Sequence, residues 1–240
     1  MKNDGYSVDE LSVFFPAYNE EANIRDTVER ALPILRKTAK VFEVIVVDDG
    51  SRDRTGEIAA DLAKKYNEVR VVTNRPNRGY GGALKAGFAA SKYPWVMFTD
   101  ADGQFDLREI DSFFAKQKGT GADLVIGYYR DRKVGAVRKL GSALWQALVW
   151  ILFGLKVRDT DCGFKLFRKE AISEWGDLEA ERGAFITSEY LVKARRKGQR
   201  IEEVPVTHFP RKAGQATGAS LKVIVSSYRD LLKLWWKMQR

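Results

Sequence analysis

The 240-residue chain has one cysteine, Cys162, and one histidine, His208. The first excludes an internal disulfide and a cysteine-built zinc cluster, and the second excludes a histidine-built metal site, so any metal must be held by oxygen. Long hydrophobic runs are missing as well. The stretch ALVWILFGL, Ala147 to Leu155, falls far short of the roughly 20 residues that a spanning helix needs. No charged-then-apolar leader pattern opens the chain, no internal repeat or low-complexity tract interrupts it, and no Pro/Gly-rich linker marks a second domain. These absences predict one α/β domain, soluble or membrane-peripheral, in the cytoplasm.

What is present is an uneven charge. The formal net charge is +9, and residues 193–240 hold 12 Lys/Arg against 3 Asp/Glu, while residues 1–192 hold 29 of each. The whole surplus lies in the last fifth. A local basic region fits an anionic partner such as nucleic acid, a phospholipid surface or a phosphorylated substrate, or else a solvated helix face.

Short β-branched runs alternate with longer amphipathic stretches. LSVFF precedes a helical pattern from Glu20 to Leu32, FEVIVVD one from Arg54 to Tyr66, VRVVTN one from Tyr80 to Ser91, and WVMFT one from Leu107 to Lys118, after which comes ADLVIG. This order predicts a mostly parallel sheet flanked by helices, with ligands at the carboxyl ends of the strands.

Four strand-end loops carry the chemistry. In PAYNEE, Pro16 stops the strand and Asn19 can cap a helix that begins near Glu20. In DDGSRDRTGE, Ser51 or Asp53 can cap the next helix, which leaves Asp48 and Asp49 suited to hydrogen bonds with a ribose or a base. The glycines of NRPNRGYGGALKAG allow close backbone approach or a plain turn, and their spacing is not a dinucleotide fingerprint. In DADGQFD, Asp100 and Asp102 converge with the amide of Gln104. Uncompensated, two such carboxylates repel and raise their own pKa values, and a hard divalent cation such as Mg²⁺ or Mn²⁺ resolves the conflict; an Asx-turn is the structural alternative.

FFPAYNEE, VVDDGSRDRTGE, NRGYGGALKAG and DADGQFD, in that order, resemble the nucleotide-sugar half of family 2 glycosyltransferases of the A-type fold. The resemblance implies that Pro16, Ala17, Tyr18, Glu20, Asp48 and Asp49 surround the base and ribose. It implies also that Asp100, Ala101 and Asp102 lie against the donor, and that Asp100, Asp102 and Gln104 hold Mg²⁺ or Mn²⁺ on the nucleotide diphosphate. Residues 8–127 form this half, residues 128–215 an acceptor half, and residues 216–240 a basic amphipathic helix.

The acceptor half, with VIGYYRDRKVGAVRKLGSALWQALVWILFGLKVRDTDCGFKLFRKEAI and EEVPVTHFPRKAGQATG, is similar to polyprenyl-phosphate glycosyltransferases of the dolichyl-phosphate mannosyltransferase kind. The similarity implies that Arg130, Arg138 and Arg211 handle phosphates and, with Asp102, form the catalytic group, and that Ser142 lies near the acceptor. GYYR stands where Gly-Ser-Arg is common, with Arg132 as the alternate to Arg130, and GQATG stands where Gly-x-Ser-Lys is common, which leaves the role of Gln215 open. Asp161 and Glu189 are assigned to orienting the sugar or an arginine, and His208 to phosphate beside Arg211 or to structure.

A polyprenyl phosphate requires cations beside exposed apolar surface near a membrane. Arg138 and Lys139 precede LGSALWQALVWILFGL, a helix for a core or for the bilayer interface, and ASLKVIVSSYRDLLKLWWKMQR is basic and amphipathic. The expected activity is inverting transfer of a hexose, mannose or glucose, from a GDP- or UDP-sugar to a polyprenyl phosphate at the cytoplasmic membrane face. A family 2 transferase acting on a saccharide hydroxyl would instead need a base among Asp159, Asp161 and Glu189. Nucleic-acid binding is disfavoured, because the aspartate-rich strand ends repel a polyanion and no reading motif is present.

Overall fold

A computed structural model describes residues 7–130, 136–180, 185–211 and 221–239, with backbone alone for 136–140 and 221–226. The elements follow the order β1 (Val8–Ala17), α1 (Ile24–Thr38), β2 (Ala39–Asp48), α2 (Thr55–Lys65), β3 (Val69–Thr73), α3 (Gly79–Ala90), β4 (Trp95–Thr99), a 3₁₀ turn (Leu107–Glu109) and α4 (Ile110–Thr120). There follow β5 (Leu124–Tyr129), α5 (Ala136–Phe153), β6 (Phe164–Arg168), α6 (Lys169–Ser173), α7 (Phe185–Arg196), β7 (Ile201–Val206) and α8 (Leu221–Met238).

The strands make one seven-stranded sheet in the order β3-β2-β1-β4-β6-β5-β7. All neighbours are parallel except β6, which runs antiparallel to both β4 and β5. Near-continuous apolar strands are what a sheet covered on both faces requires. One face packs α1, α2 and α4 through residues such as Val28, Leu62 and Phe113. The other packs α3, α5, α7 and α8 through Leu84, Val149, Tyr190 and Leu231.

On that second face, rings stack across three adjacent strands: Phe14 on Phe98 at 5.4 Å, and Phe98 on Phe167 at 5.9 Å. Phe88 from α3 and Tyr190 from α7 meet them edge-on. Such pairs add about 0.5–1.5 kcal/mol each beyond their burial. Gly87 lets α3 lie close on β1, since a Cβ there would come within 2.3 Å of the Phe14 ring.

Two helix limits differ from the sequence expectation. The first helix begins at Ile24 after Asn23, not near Glu20, and it continues through Pro33 to Thr38. Asn19 caps nothing; it sits at φ 56°, and its side-chain oxygen accepts the Arg52 N–H at 2.9 Å. The two apolar helices α5 and α8 divide their faces between core and solvent. In α5, Val149 is buried while Leu144, Trp150 and Ile151 are exposed; in α8, Leu231 and Leu234 are buried while Leu232 and Trp236 are exposed. Trp145 of α5 meets Tyr228 of α8 edge-on at 5.1 Å, so the two helices adjoin. No helix among the described residues is long and apolar enough to cross a membrane.

Candidate active site

The carboxyl ends of β1, β2 and β4 lie side by side, and their loops are laced together. Asn19 N–H donates to Ser51 Oγ at 3.0 Å, Glu20 N–H to Thr55 Oγ1 at 2.8 Å, Glu21 N–H to Asp53 Oδ2 at 3.2 Å, and Arg54 N–H to Glu21 Oε2 at 3.0 Å. Much of the polar content of PAYNEE and DDGSRDRT is consumed in this lacing. Asp48 and Asp49, expected at a base or ribose, also have internal tasks. Asp48 Oδ1 accepts Ser51 N–H, and Asp49 Oδ1 accepts the Asn74 amide at 2.8 Å and Arg78 N–H at 3.0 Å. Both are nearly fully buried. Ala17 is buried with them, and Tyr18 is half-buried above.

Past β4 the chain turns through Asp100, Ala101 and Asp102, beside a cleft of about 610 Å³ lined by Phe15, Thr27, Ala31, Leu107 and Phe209. Burial, followed by the charge of Asp102, pushes the Asp100 carboxyl up from 3.8 to about 7. Tyr80 Oη donates to Asp100 Oδ1 at 3.1 Å. Asp102 Oδ1 accepts Gln104 N–H at 3.0 Å, and its Oδ2 takes Arg211 Nη2 at 3.0 Å. The same guanidinium reaches Glu20 Oε1 at 3.1 Å. Burial holds the Glu20 carboxyl above its usual value, although hydrogen bonds from Asn23 and Arg211 oppose the shift.

Arg211 reaches this place because the segment after β7 is fastened to the loop that follows β4. Glu109 accepts Thr207 N–H and Oγ1–H at 2.8 Å each, Phe209 N–H donates to Gln104 O at 2.8 Å, and Gln104 Nε2 donates to Phe209 O at 2.7 Å. The Gln104 amide is thereby turned to the Phe209 carbonyl and not toward the two aspartates, because the pairing of the segments competes for it. His208 bridges to Phe105 and meets the rings of Phe105 and Tyr129 at 5.3 and 4.7 Å, contacts that fit the structural role named as one of its two readings.

Glu189 departs further from the sequence reading. It is fully buried, accepts Glu179 N–H at 2.8 Å and Ala180 N–H at 2.9 Å, and pairs with Lys193 at 2.9 Å. Among the described residues its oxygens are occupied by backbone and a lysine. Asp161 is half-buried in the loop before β6; Thr160 Oγ1 donates to its Oδ1 at 3.2 Å, and its N–H donates to Asp159 Oδ1. Arg130 follows β5 and is exposed, and Ser142 lies half-buried on α5. Arg132, Gln215 and the side chains of Arg138 and Lys139 lie outside the described residues.

Two site residues were not singled out from the sequence. Tyr80 is one. Lys165 is the other: fully buried on β6, it donates through Nζ to Thr160 O at 3.0 Å and to Cys162 O. Burial lowers its pKa, against the opposing influence of Cys162, Asp159, Asp161 and Asp100. A lysine flanked by phenylalanine and leucine in FKLF, where alternate residues share a face, was the available signal.

Two carboxylates, one with its charged form disfavoured by burial and by the other, make a donor set suited to a hard divalent cation. No group of three or more His, Cys, Asp and Glu gathers among the described residues, so such a cation would depend on ligands from a substrate as well.

Residues 12–176 match Glycosyl transferase family 2. Among curated proteins, the chain is 32% identical over 235 residues to glycosyltransferase AglD of Haloferax volcanii, covering 95% of this chain and 37% of that one. It is 36% identical over 197 residues to human dolichyl-phosphate beta-glucosyltransferase, covering 73% and 60%. The chain therefore spans roughly a third to three-fifths of these relatives' own length. Among solved structures, glucosyl-3-phosphoglycerate synthase from Mycobacterium tuberculosis with Mn²⁺, UDP and glucosyl-3-phosphoglycerate superposes with a TM-score of 0.67 at 24% identity, covering 94% of this chain and 78% of that one. The same enzyme with Mn²⁺ and UDP-glucose gives 0.66 at 23%, covering 93% and 77%. The mostly parallel seven-stranded sheet flanked by helices agrees with these matches: the chain belongs to glycosyl transferase family 2 and has the A-type glycosyltransferase fold.

Proposed function

We propose that the chain transfers a hexose from a nucleoside diphosphate sugar to a polyprenyl phosphate at a membrane surface, with inversion at the anomeric carbon. The observation that carries the reading is the convergence of Asp100, Asp102 and Arg211 at the carboxyl end of β4. Similarity to dolichyl-phosphate beta-glucosyltransferases supports the acceptor and favours glucose over mannose; UDP in the structural neighbours favours UDP over GDP.

Asp100 and Asp102 would hold Mg²⁺ or Mn²⁺, which when bound supplies charge neutralisation for the departing diphosphate. Arg211 places a fixed guanidinium beside these aspartates, where its planar donors suit a phosphate oxygen. Glu20, tied to Arg211, holds that guanidinium in place. The acceptor phosphate oxygen forms the new bond to the anomeric carbon as the bond to the diphosphate breaks, and the bonding pair leaves with the nucleotide. A phosphate monoester has its second pKa near 6 and needs no strong base. That agrees with a Glu189 committed to backbone and with Asp159 and Asp161 engaged in their own loop.

Membrane association is peripheral in this reading. Exposed Trp150, Ile151, Leu232 and Trp236 supply apolar contact, and the exposed Arg229, Lys233 and Lys237 supply attraction to anionic lipid. The test offers labelled UDP- and GDP-hexoses with a short polyprenyl phosphate, with Mn²⁺ and again with chelator. Label entering the organic phase from one donor, and only with metal, is the expected result. Label entering a saccharide acceptor without lipid phosphate would overturn the acceptor assignment.

A further inference from the structure

The glycine-rich stretch from Asn77 to Gly87 is not accounted for by donor chemistry, yet its entry is tied to Asp49 by three hydrogen bonds. Asn74 and Arg78 both donate to Asp49 Oδ1, and Asn77 Nδ2 donates to Asp49 O at 2.6 Å. Gly87 then allows α3 to close on Phe14 of β1. Together these contacts fix the first turn of α3 between the ends of β2 and β4, and they bring the Tyr80 hydroxyl to Asp100 Oδ1 at 3.1 Å.

The opposite flank of the same carboxylate is bare backbone. A Cβ at Gly163 would lie 2.3 Å from Asp100 Oδ2 and 2.6 Å from its Cγ. The carboxylate is thus clasped between a phenol that donates to one oxygen and a residue that has no side chain beside the other. Neither group can itself be a strong ligand; what they control is where the Asp100 oxygens point.

We propose that Tyr80 is a positioning residue for the metal site: its hydroxyl fixes the Asp100 carboxylate in the orientation that receives a divalent cation, with Gly163 providing the space. The inference rests on the metal reading given under the proposed function. Groups that orient a metal ligand cost about 10–100-fold in metal affinity when removed. One hydrogen bond from a neutral phenol, to a carboxylate that is already sterically confined, belongs at the low end, about 10-fold. Tyr80→Phe keeps the ring and its packing, so the change falls on the hydroxyl alone.

The experiment titrates Mn²⁺ into the metal-free full chain with UDP present and follows the resonance of free Mn²⁺, using wild type, Tyr80→Phe, Gly163→Ala and Asp102→Ala. Tyr80→Phe is expected to weaken Mn²⁺ about 10-fold at unchanged melting temperature, and transfer at saturating Mn²⁺ is expected to return to the wild-type kcat. Gly163→Ala is expected to weaken Mn²⁺ more, because its methyl takes the space of Oδ2. Tyr80→Phe with wild-type Mn²⁺ affinity overturns the inference while leaving the metal reading intact. Superimposable titrations of wild type and Asp102→Ala overturn both.

Discussion

Asp100 offers a test of the electrostatics in which no catalysis is needed. Its folded pKa of about 7 against an ordinary 3.8 means that between those pH values the folded chain binds a proton that the unfolded chain has released. Stability is then lost as pH rises through that window. At about 1.4 kcal/mol per pKa unit, the ceiling is about 4 kcal/mol. The groups facing this carboxyl are Asp102, which raises it, and Tyr80, Lys165 and Arg211; Tyr80 and the two cations lower it. Asp100→Asn removes the titration and keeps the shape. Melting curves of metal-free wild type and Asp100→Asn are expected to lie close together near pH 4 and to separate as pH rises, with the variant the more stable. For a chain of this size, where 1 kcal/mol shifts the midpoint by about 2–4 °C, the separation at pH 7.5 approaches about 10 °C. Mn²⁺ with UDP should narrow it by stabilising the wild type. Parallel curves across the whole range would refute the claim that burial, with the charge of Asp102 beside it, disfavours the ionised form of Asp100.

Lys165→Met removes a buried ammonium that holds the carbonyls of Thr160 and Cys162 and faces three aspartates; a loss of about 2–4 kcal/mol in urea unfolding is expected, and an unchanged midpoint would contradict it. Glu189→Gln should lower stability through its ties to Glu179, Ala180 and Lys193, yet retain most of kcat; a loss of about 1000-fold or more, the scale of a missing general base, would restore it as a catalytic group. Trp150→Ser with Trp236→Ser should weaken sedimentation with anionic liposomes at unchanged melting temperature, and equal sedimentation would move the membrane contact elsewhere.

The strand-helix order was legible because strands covered on both faces are near-continuous in apolar residues. The paired acids of DADGQ were legible as a convergence at the end of β4, and Asp102 additionally accepts Gln104 N–H in the Asx-turn named as the alternative. The direction of β6 was not legible, since hydrophobic periodicity carries no sign. Nor were the internal tasks of the acids: Asp49 and Glu189 read in one dimension only as candidate site residues, and in three they also accept backbone N–H groups. Asn19 shows the same ambiguity, since an Asx side chain serves a cap or a neighbouring loop equally well. Tyr80 and Lys165 were hidden inside elements that read as a glycine-rich helix and an apolar strand: Tyr80 finds its partner only because α3 lies against the end of β4, and Lys165 turns back on the carbonyls of its own loop.

The central claim, transfer to a lipid phosphate, is tested most directly by offering the same labelled UDP-hexose and Mn²⁺ to two acceptors of equal chain length, a polyprenyl phosphate and the corresponding polyprenol. Label in the phosphate product alone, absent with Asp102→Ala and with chelator, is the predicted result. Equal label in the polyprenol would contradict it, because the phosphate would then contribute nothing to acceptor recognition or attack.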